Sequence, residues 1–153
     1  MISKINYAIE IYARKNNKWT EQLQVCQNRI LKILFLKDWF FNTYHLHKDF
    51  GILKIHDLNK VRLALIIHRN EFHPETQPSP IKSQMQEYKT SSQRSLRNQN
   101  LYFLNADSYA YINKVIDSAA IIWNNLSNHI KVLDKRHKFK DGYVKLLTSQ
   151  YIN

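Results

Sequence analysis

The sequence predicts an all-α fold: a bundle-like array of helices in two subregions, joined by a long, basic, polar loop. Glycine and proline are scarce, with two and three residues among 153, whereas a hairpin-rich β fold needs glycine for its turns. Apolar residues make up 44% of the chain, which is enough for a core. Apolar residues recur at helical spacing on both sides of one long polar stretch. The chain therefore divides into a helical subregion at 1–73, a loop at 74–107 and a helical subregion at 108–153.

The first part of the N-terminal subregion contains two predicted helices. Isoleucines at helical spacing predict one over residues 2–14. The other runs from Thr20 to about Leu36 and carries a wide apolar stripe suited to a core. Cys26, the single cysteine, lies in that stripe, so we interpret it as a small core residue; it excludes an internal disulfide. The aromatic segment KDWFFNT at 37–43 is a connector to the next element.

A short helix and a long helix complete this subregion. The short helix begins near Thr43 and ends at Gly51, because glycine readily takes the positive φ at a helix C-terminus. Asp57 is a good N-cap for the long helix, which runs to about Phe72. The apolar spacing turns the following polar side chains of this helix away from the core: Arg62, His68, Arg69 and Asn70.

Beyond residue 73 the composition changes and then changes back. The stretch to about Asn100 holds all three prolines and many Ser and Gln, which predicts a loop or flexible linker long enough to be functional. A helix with strict apolar spacing follows, with Ser108 as a possible N-cap and with Ala119 and Ala120 allowing close helix approach. A short turn spans 127–133, and a final helix carries Phe139, Val144 and Leu147.

The charge of the chain points to a polyanionic partner. Lys and Arg number 23 against 12 Asp and Glu, which gives +11 and a pI near 9.8. Such a surplus favours RNA or DNA as the partner, and an anionic membrane surface is the second candidate. The alternative is a basic surface that has no specific partner. Residues 131–145 hold six basic residues, Lys131 among them, against two acidic ones, and residues 82–97 hold four against one. A solvated helix face is the competing interpretation of the first cluster.

We expect the nucleic-acid-binding residues to be basic side chains that neutralise phosphates and make binding salt-sensitive. Tyr and Trp rings can also stack on bases, but helical spacing favours a core position for Tyr109 and Trp123. The candidates for phosphate contact are Arg29, Lys32, Arg62, Arg69, Arg94, Arg97, Lys135, Arg136 and Lys138.

A catalytic or metal site is not expected. The two glycines are isolated, so there is no phosphate-binding loop, and no close carboxylate pair has an apolar surround. His45 and His47 could share a metal with His56, but thiol and carboxylate partners are lacking nearby, so packing or surface roles are favoured. Apolar runs are shorter than the roughly 20 residues of a membrane helix. We therefore expect no cofactor, no metal and no membrane, and an intracellular protein of the cytoplasm or nucleus.

Several short motifs occur together in a recognisable order. They are Tyr7-Ala8-Ile9, LQVCQNRILKI at 23–33, TYHLHKDFGILKIHDL at 43–58, IIWNNL at 121–126 and FKDGYVKLL at 139–147. With these motifs the chain resembles the C-terminal region of reverse transcriptases from non-LTR (LINE-like) retrotransposons, especially the jockey and chicken-repeat type. The resemblance spans nearly the whole chain, although Ala8 stands where that family usually has Gly.

The resemblance implies a helical, thumb-like region that helps to grip a template–primer duplex. Because the chain has no Tyr-x-Asp-Asp motif, polymerase activity is not implied; we expect a non-catalytic C-terminal fragment that binds RNA or DNA backbones. The alternative is a decayed open reading frame, or a helical scaffold that packs against missing polymerase domains without binding nucleic acid. In either case the polar edge QNR, Gln27 to Arg29, is hypothesised to contact the template or the polymerase core.

Overall fold

This protein is described by a computed structural model that covers residues 18–78, 82 and 111–151. These residues contain six α-helices and no strand, so the predicted all-α class is confirmed. The predicted helix over 2–14, most of the polar loop and the helix start near Ser108 lie outside the described residues. Numbered in chain order, the helices are α1 Lys18–Leu34, α2 Tyr44–Asp49, α3 Ile55–Phe72, α4 Tyr111–Asn124, α5 Asn128–Lys131 and α6 Arg136–Ser149.

The chain forms two compact units. Unit 1 comprises Met1–Val61 with Asp141–Asn153, and unit 2 comprises Arg62–Lys140. Both boundaries fall inside helices, α3 and α6, whereas the sequence-based division used the polar loop as its boundary. Opposite ends of a long helix can belong to different cores, because each end is buried by whatever packs against it.

Local sequence signals place the helix boundaries well. α1 begins two residues before the predicted Thr20, and α2 is followed by Gly51, whose φ is 60°. The C-terminus of α1 is unusual because Leu36, not glycine, takes the left-handed conformation, with φ at 49°. Leu36 N–H donates to the Ile33 carbonyl and Lys37 N–H to the Lys32 carbonyl. This is the hydrogen-bond pattern of a Schellman motif, and it directs the connector away from the helix axis.

The interpretation of Cys26 as a core residue is wrong, because the Cys26 side chain is exposed. Leu31 is the fully buried residue of α1, while Val25, Ile30 and Ile33 are exposed. The helix turns its polar edge inward because other parts of unit 1 present backbone groups that need hydrogen-bond partners. The apolar stripe that the sequence assigned to the core therefore lies largely at the surface.

Asp57 is not the N-cap of the long helix, because α3 begins two residues earlier at Ile55. The backbone N–H groups at its start are satisfied by distant side chains: Lys54 N–H donates to the Tyr151 hydroxyl (3.0 Å) and Ile55 N–H to Gln24 Oε1 (2.8 Å). Asp57 instead accepts a hydrogen bond from the Tyr151 hydroxyl at 2.6 Å. A tertiary cap thus replaces the local cap that the sequence predicted.

The prediction that His68 and Asn70 face away from the core is also wrong, because both are buried. In unit 2, His68 stacks near the fully buried Phe139, with 4.4 Å between ring centroids, and its Nε2–H donates to the Leu133 carbonyl at 2.7 Å. Phe139 also lies 5.7 Å from the ring of Trp123, which confirms the core position predicted for that tryptophan. Unit 2 is therefore organised around aromatic rings.

The two small residues of α4 are fully buried. Ala119 and Ala120 have no exposed surface, and Ile116 on the preceding turn is buried with them. Downstream, α5 occupies the predicted short turn, and α6 carries the buried Phe139 and Leu147 of the predicted final helix. The C-terminal pattern of apolar positions is confirmed for the residues that the structure describes.

Candidate nucleic-acid interface

Arg29 and Lys32, two predicted phosphate contacts, come together on the tryptophan of the connector in unit 1. The Arg29 guanidinium carbon lies 5.2 Å from the Trp39 ring centroid, and Lys32 Nζ lies 5.8 Å from it. Lys32 Nζ also donates to the Trp39 backbone carbonyl. A cation over an indole face is attracted by the ring quadrupole, so these contacts hold the connector against the last turns of α1.

The connector continues with further exposed aromatic and basic side chains. Trp39 is 63% exposed and Phe40 is 95% exposed, while Lys37 Nζ lies 5.2 Å from the ring of Phe41. We call Arg29, Lys32, Lys37, Trp39 and Phe40 the connector surface. The sequence showed the aromatic connector but did not single out Trp39 or Phe40 as site residues. The available signal was four aromatic or basic residues in a short stretch that no helical period places in a core.

A second basic surface lies at the start of α6 in unit 2. Lys135, Arg136 and Lys138 are all exposed, and together they form what we call the α6 surface. Lys135 N–H donates to Asp134 Oδ1 at 2.7 Å, so that carboxylate is used by the backbone at the helix start. The positive end of the helix dipole adds to the attraction that these side chains exert on an anion.

The remaining predicted contacts are divided between α3 and the loop. Arg62 and Arg69 lie two turns apart on α3, on one side of the helix, and both are half-buried. Arg94 and Arg97 lie outside the described residues. Seven of the nine candidates are therefore placed: two on α1, two on α3 and three on the α6 surface.

Within the described parts of the chain, none of these seven side chains forms an ion pair. Two carboxylates approach other basic groups in this part of the chain: Asp57 lies 2.8 Å from Lys60 Nζ, and Glu75 lies 3.8 Å from His73 Nδ1. An arginine or lysine without a carboxylate partner keeps its full charge available to an external phosphate. The candidates thus retain the electrostatic property for which the sequence selected them.

Lys131, which the sequence counted in the basic cluster, does not contribute to that surface. Its side chain is buried, and its Nζ donates to the Asn124 carbonyl at 3.3 Å. Burial lowers the pKa of Lys131 below its usual value because the charged ammonium loses hydration. The cluster at 131–145 is therefore less basic at the surface than its composition indicated.

The polar edge of α1 has a structural role that sequence reasoning missed. Gln24 Nε2 donates to Gln27 Oε1 and to Asn28 Oδ1, both at 2.9 Å, while Gln27 Nε2 donates to the Leu53 carbonyl at 2.9 Å. Asn28 Oδ1 also lies 3.1 Å from His47 Nε2. Gln27 and Asn28 are thus used inside unit 1, and Arg29 alone of the QNR triplet reaches outward.

His47, one of the possible metal ligands, belongs to this polar network. It is 1% exposed, and its Nδ1–H donates to the Ile52 carbonyl at 2.8 Å. Burial lowers the pKa of His47, although the hydrogen bond to Ile52 opposes that shift. His45 and His56 are exposed, and among the described residues no three His, Cys, Asp or Glu side chains come together as metal ligands.

Burial also lowers the pKa of His68, against the opposing effect of its hydrogen bond to the Leu133 carbonyl. The nearby charges of His73 and Arg136 lower that pKa further, while Asp134 raises it. Burial therefore disfavours the charged form of both histidines, and neither lies on the positive surface.

No helix in the described part of the chain is long and apolar enough to cross a membrane. Comparison with protein-family models, with curated proteins and with solved structures gave no match for this chain. Within residues 18–78, 82 and 111–151 the chain offers two basic surfaces, one of them aromatic, and no group of three His, Cys, Asp or Glu side chains.

Proposed function

We propose that this protein is a non-catalytic C-terminal region of a retrotransposon reverse transcriptase that binds RNA or DNA through its phosphate backbone. The observation that carries the proposal is the set of seven described Arg and Lys side chains without a carboxylate partner. The ordered motifs of the sequence support the retrotransposon origin. An intracellular setting, the cytoplasm or nucleus, accompanies this proposal, because template and primer are found there.

The binding would be electrostatic and largely independent of sequence. Each Lys or Arg that neutralises a phosphate releases condensed counterions, so affinity falls steeply as salt concentration rises. The α6 surface would supply three such contacts from the start and first turn of the helix, and Arg29 and Lys32 would supply two from α1. Neither set includes an acid or a metal-binding group, so this region would hold a strand while other residues perform the chemistry.

The test is a salt titration of binding to a labelled primer–template duplex, followed by fluorescence anisotropy. In the variant Lys135→Ala/Lys138→Ala we expect weaker binding and a log–log salt slope reduced by about 2, since each lost phosphate contact removes about one unit. The matched control is Lys18→Ala/Lys48→Ala, which removes the same charge at two exposed lysines outside the candidates and outside both basic clusters. Wild-type affinity that is absent at about 50 mM salt, or unchanged at about 200 mM, contradicts the proposal.

A second candidate function is that of a helical scaffold that packs against polymerase domains and does not bind nucleic acid. The exposed apolar face of α1 favours it: Val25, Ile30, Ile33 and Leu34 are all exposed. An apolar stripe several turns long at the surface marks a protein-contact site or a source of aggregation. Self-association of the purified chain that Ile33→Ser/Leu34→Ser abolishes, together with no shift of any nucleic acid, would favour the scaffold over the first proposal.

A further inference from the structure

The connector surface presents aromatic faces to solvent in a way that the phosphate contacts alone do not explain. Trp39 and Phe40 are neighbours in the chain and both are largely exposed. They follow Leu36, whose left-handed backbone is disfavoured for a residue with a Cβ. Exposed large aromatic rings lose the stabilisation of burial, so a surface that displays two of them side by side indicates a ligand with flat apolar faces.

The charges beside these rings complement an anion. Arg29 and Lys32 lie over the Trp39 ring, and Lys37 lies over the ring of Phe41, the residue after Phe40. Three cations are therefore in contact with aromatic rings of the connector. Asp38 is the acidic residue of this stretch. A ligand that combines flat rings with regularly spaced negative charges matches this arrangement, and a nucleic-acid strand has that composition.

The position of the cations argues against a lipid surface as the occupant. Membrane-inserted aromatic side chains enter the acyl boundary, while cationic groups stay at the headgroups. Here the Arg29 guanidinium lies 5.2 Å from the indole centroid, so insertion of Trp39 would either take that charge into the apolar layer or break the contact. A base that stacks beside the indole leaves the cation in water, next to the phosphate of the same nucleotide.

We propose that the connector surface binds an unpaired nucleic-acid strand, with Trp39 and Phe40 stacking on bases and with Arg29, Lys32 and Lys37 contacting the adjoining phosphates. This inference rests on the proposed function and names the form of nucleic acid that this surface takes. In a duplex the bases are already stacked on one another and offer no free face. The connector surface therefore discriminates single strands from duplexes, whereas the α6 surface, which has no exposed aromatic ring among its three residues, does not.

The experiment compares two ligands on the full chain: a labelled single-stranded oligonucleotide of about 16 nucleotides and the same sequence as a duplex. We expect Trp39→Ala/Phe40→Ala to bind the single strand about tenfold more weakly and the duplex unchanged, because aromatic stacking contributes strongly to single-strand affinity. Trp39→Phe/Phe40→Tyr should restore most of the affinity. Circular dichroism melting of each variant verifies that the fold is retained.

Leu36→Ala is the matched control, because Leu36 is exposed and apolar, belongs to the same segment and cannot stack. It should bind the single strand as the wild type does. Loss of affinity in Leu36→Ala equal to that in the aromatic variant overturns the inference, because general apolar contact would then explain both. Because Trp19 is also exposed, the decisive quantity is the change in quenching of tryptophan fluorescence: quenching by the single strand that is as large in Trp39→Phe as in the wild type also overturns the inference.

The outcomes separate this inference from the proposed function. Equal single-strand affinity in the wild type and in Trp39→Ala/Phe40→Ala, with a normal salt slope, overturns the inference and leaves the proposed function standing. No binding of either ligand at low salt overturns both. Anionic phospholipid vesicles serve as a third ligand: vesicle binding that is lost in the aromatic variant and in Leu36→Ala, with single-strand affinity unaffected, assigns the surface to lipid instead.

Discussion

Helices α1 and α4 carry apolar stripes of similar spacing, yet they bury opposite kinds of side chain. α4 buries Ile116, Ala119 and Trp123, as its periodicity predicts. α1 exposes Val25 and Ile33 and turns a hydrogen-bonding edge inward. The difference lies in what each helix packs against.

α1 is oriented in this way because neighbouring segments of unit 1 present backbone groups that need hydrogen-bond partners. The segment before α3 presents the Leu53 carbonyl and the Ile55 N–H, and a buried backbone group without a partner costs about twice what an average hydrogen bond contributes. Gln27 and Gln24 satisfy these two groups. Satisfying them fixes the rotation of α1, and the apolar stripe on its other side is left at the surface.

The largest expected effect comes from removing a buried ring of α4. Trp123→Ala should lower the free energy of unfolding by about 3–5 kcal/mol, because it leaves a cavity beside Phe139. The matched truncation on α1, Ile33→Ala, should change it by less than about 0.5 kcal/mol, because that side chain is 73% exposed. Urea unfolding followed by circular dichroism measures both. An equally large loss in Ile33→Ala would mean that the face of α1 is covered in solution.

A smaller effect is expected from the polar edge. Gln24→Ala should lower the free energy of unfolding by about 1–3 kcal/mol, because the Ile55 N–H loses its acceptor at the start of α3. Gln22→Ala is the control, since Gln22 is exposed on the same helix and the change preserves helix propensity. If both variants unfold at the same urea concentration, the polar edge does not orient α1.

The third prediction concerns acid and tests whether the polar network depends on an uncharged histidine. Since burial keeps the pKa of His47 below the 6.5 of a free histidine, the unfolded chain binds a proton that the folded chain does not. Stability should therefore be complete above about pH 6.5 and should fall as the pH is lowered below it. Thermal melts from about pH 8 to about pH 5 measure the change.

His47→Gln should flatten this pH dependence, because glutamine forms hydrogen bonds but does not titrate. His68, whose pKa burial also lowers, accounts for the part that remains. His45→Gln is the matched control, because it makes the same substitution at an exposed histidine outside the polar network. A profile for His47→Gln that is as steep as that of the wild type would show that His47 titrates in the folded protein as it does in the unfolded chain.

Much of the fold could be predicted because the apolar period of a helix, and often its end, depend on residues close together in the sequence. Gly51 ends α2, apolar spacing places Phe139 and Leu147 in the core, and the turn before α6 lies where the periodicity breaks. The errors share one cause. Cys26, Asp57 and His68 were assigned from the pattern of their own helix, whereas their environment is set by side chains that are distant in sequence.

In the candidate site, too, some features could be predicted from the sequence and others depend on the assembled chain. Charge is a property of the residue, so Lys135, Arg136 and Lys138 could be selected from the sequence, and the structure places them at the surface. Burial is a property of the assembled chain, so the loss of Lys131 from the basic surface could not be read from composition. The same holds for the contact of Arg29 with Trp39, which joins a helix to the connector that follows it.

By itself the sequence determined that this protein is helical and strongly basic, because periodicity and charge are local properties. Tertiary structure alone decided which face of α1 is buried, how the start of α3 is capped and which aromatic rings stay in solvent. The first two depend on whether a buried polar group finds a partner many residues away, and the third depends on which segments pack over the connector. Leaving such a group unpaired costs about 1–3 kcal/mol, which is comparable to the gain from burying one aliphatic side chain, so it competes with the hydrophobic pattern of a single helix.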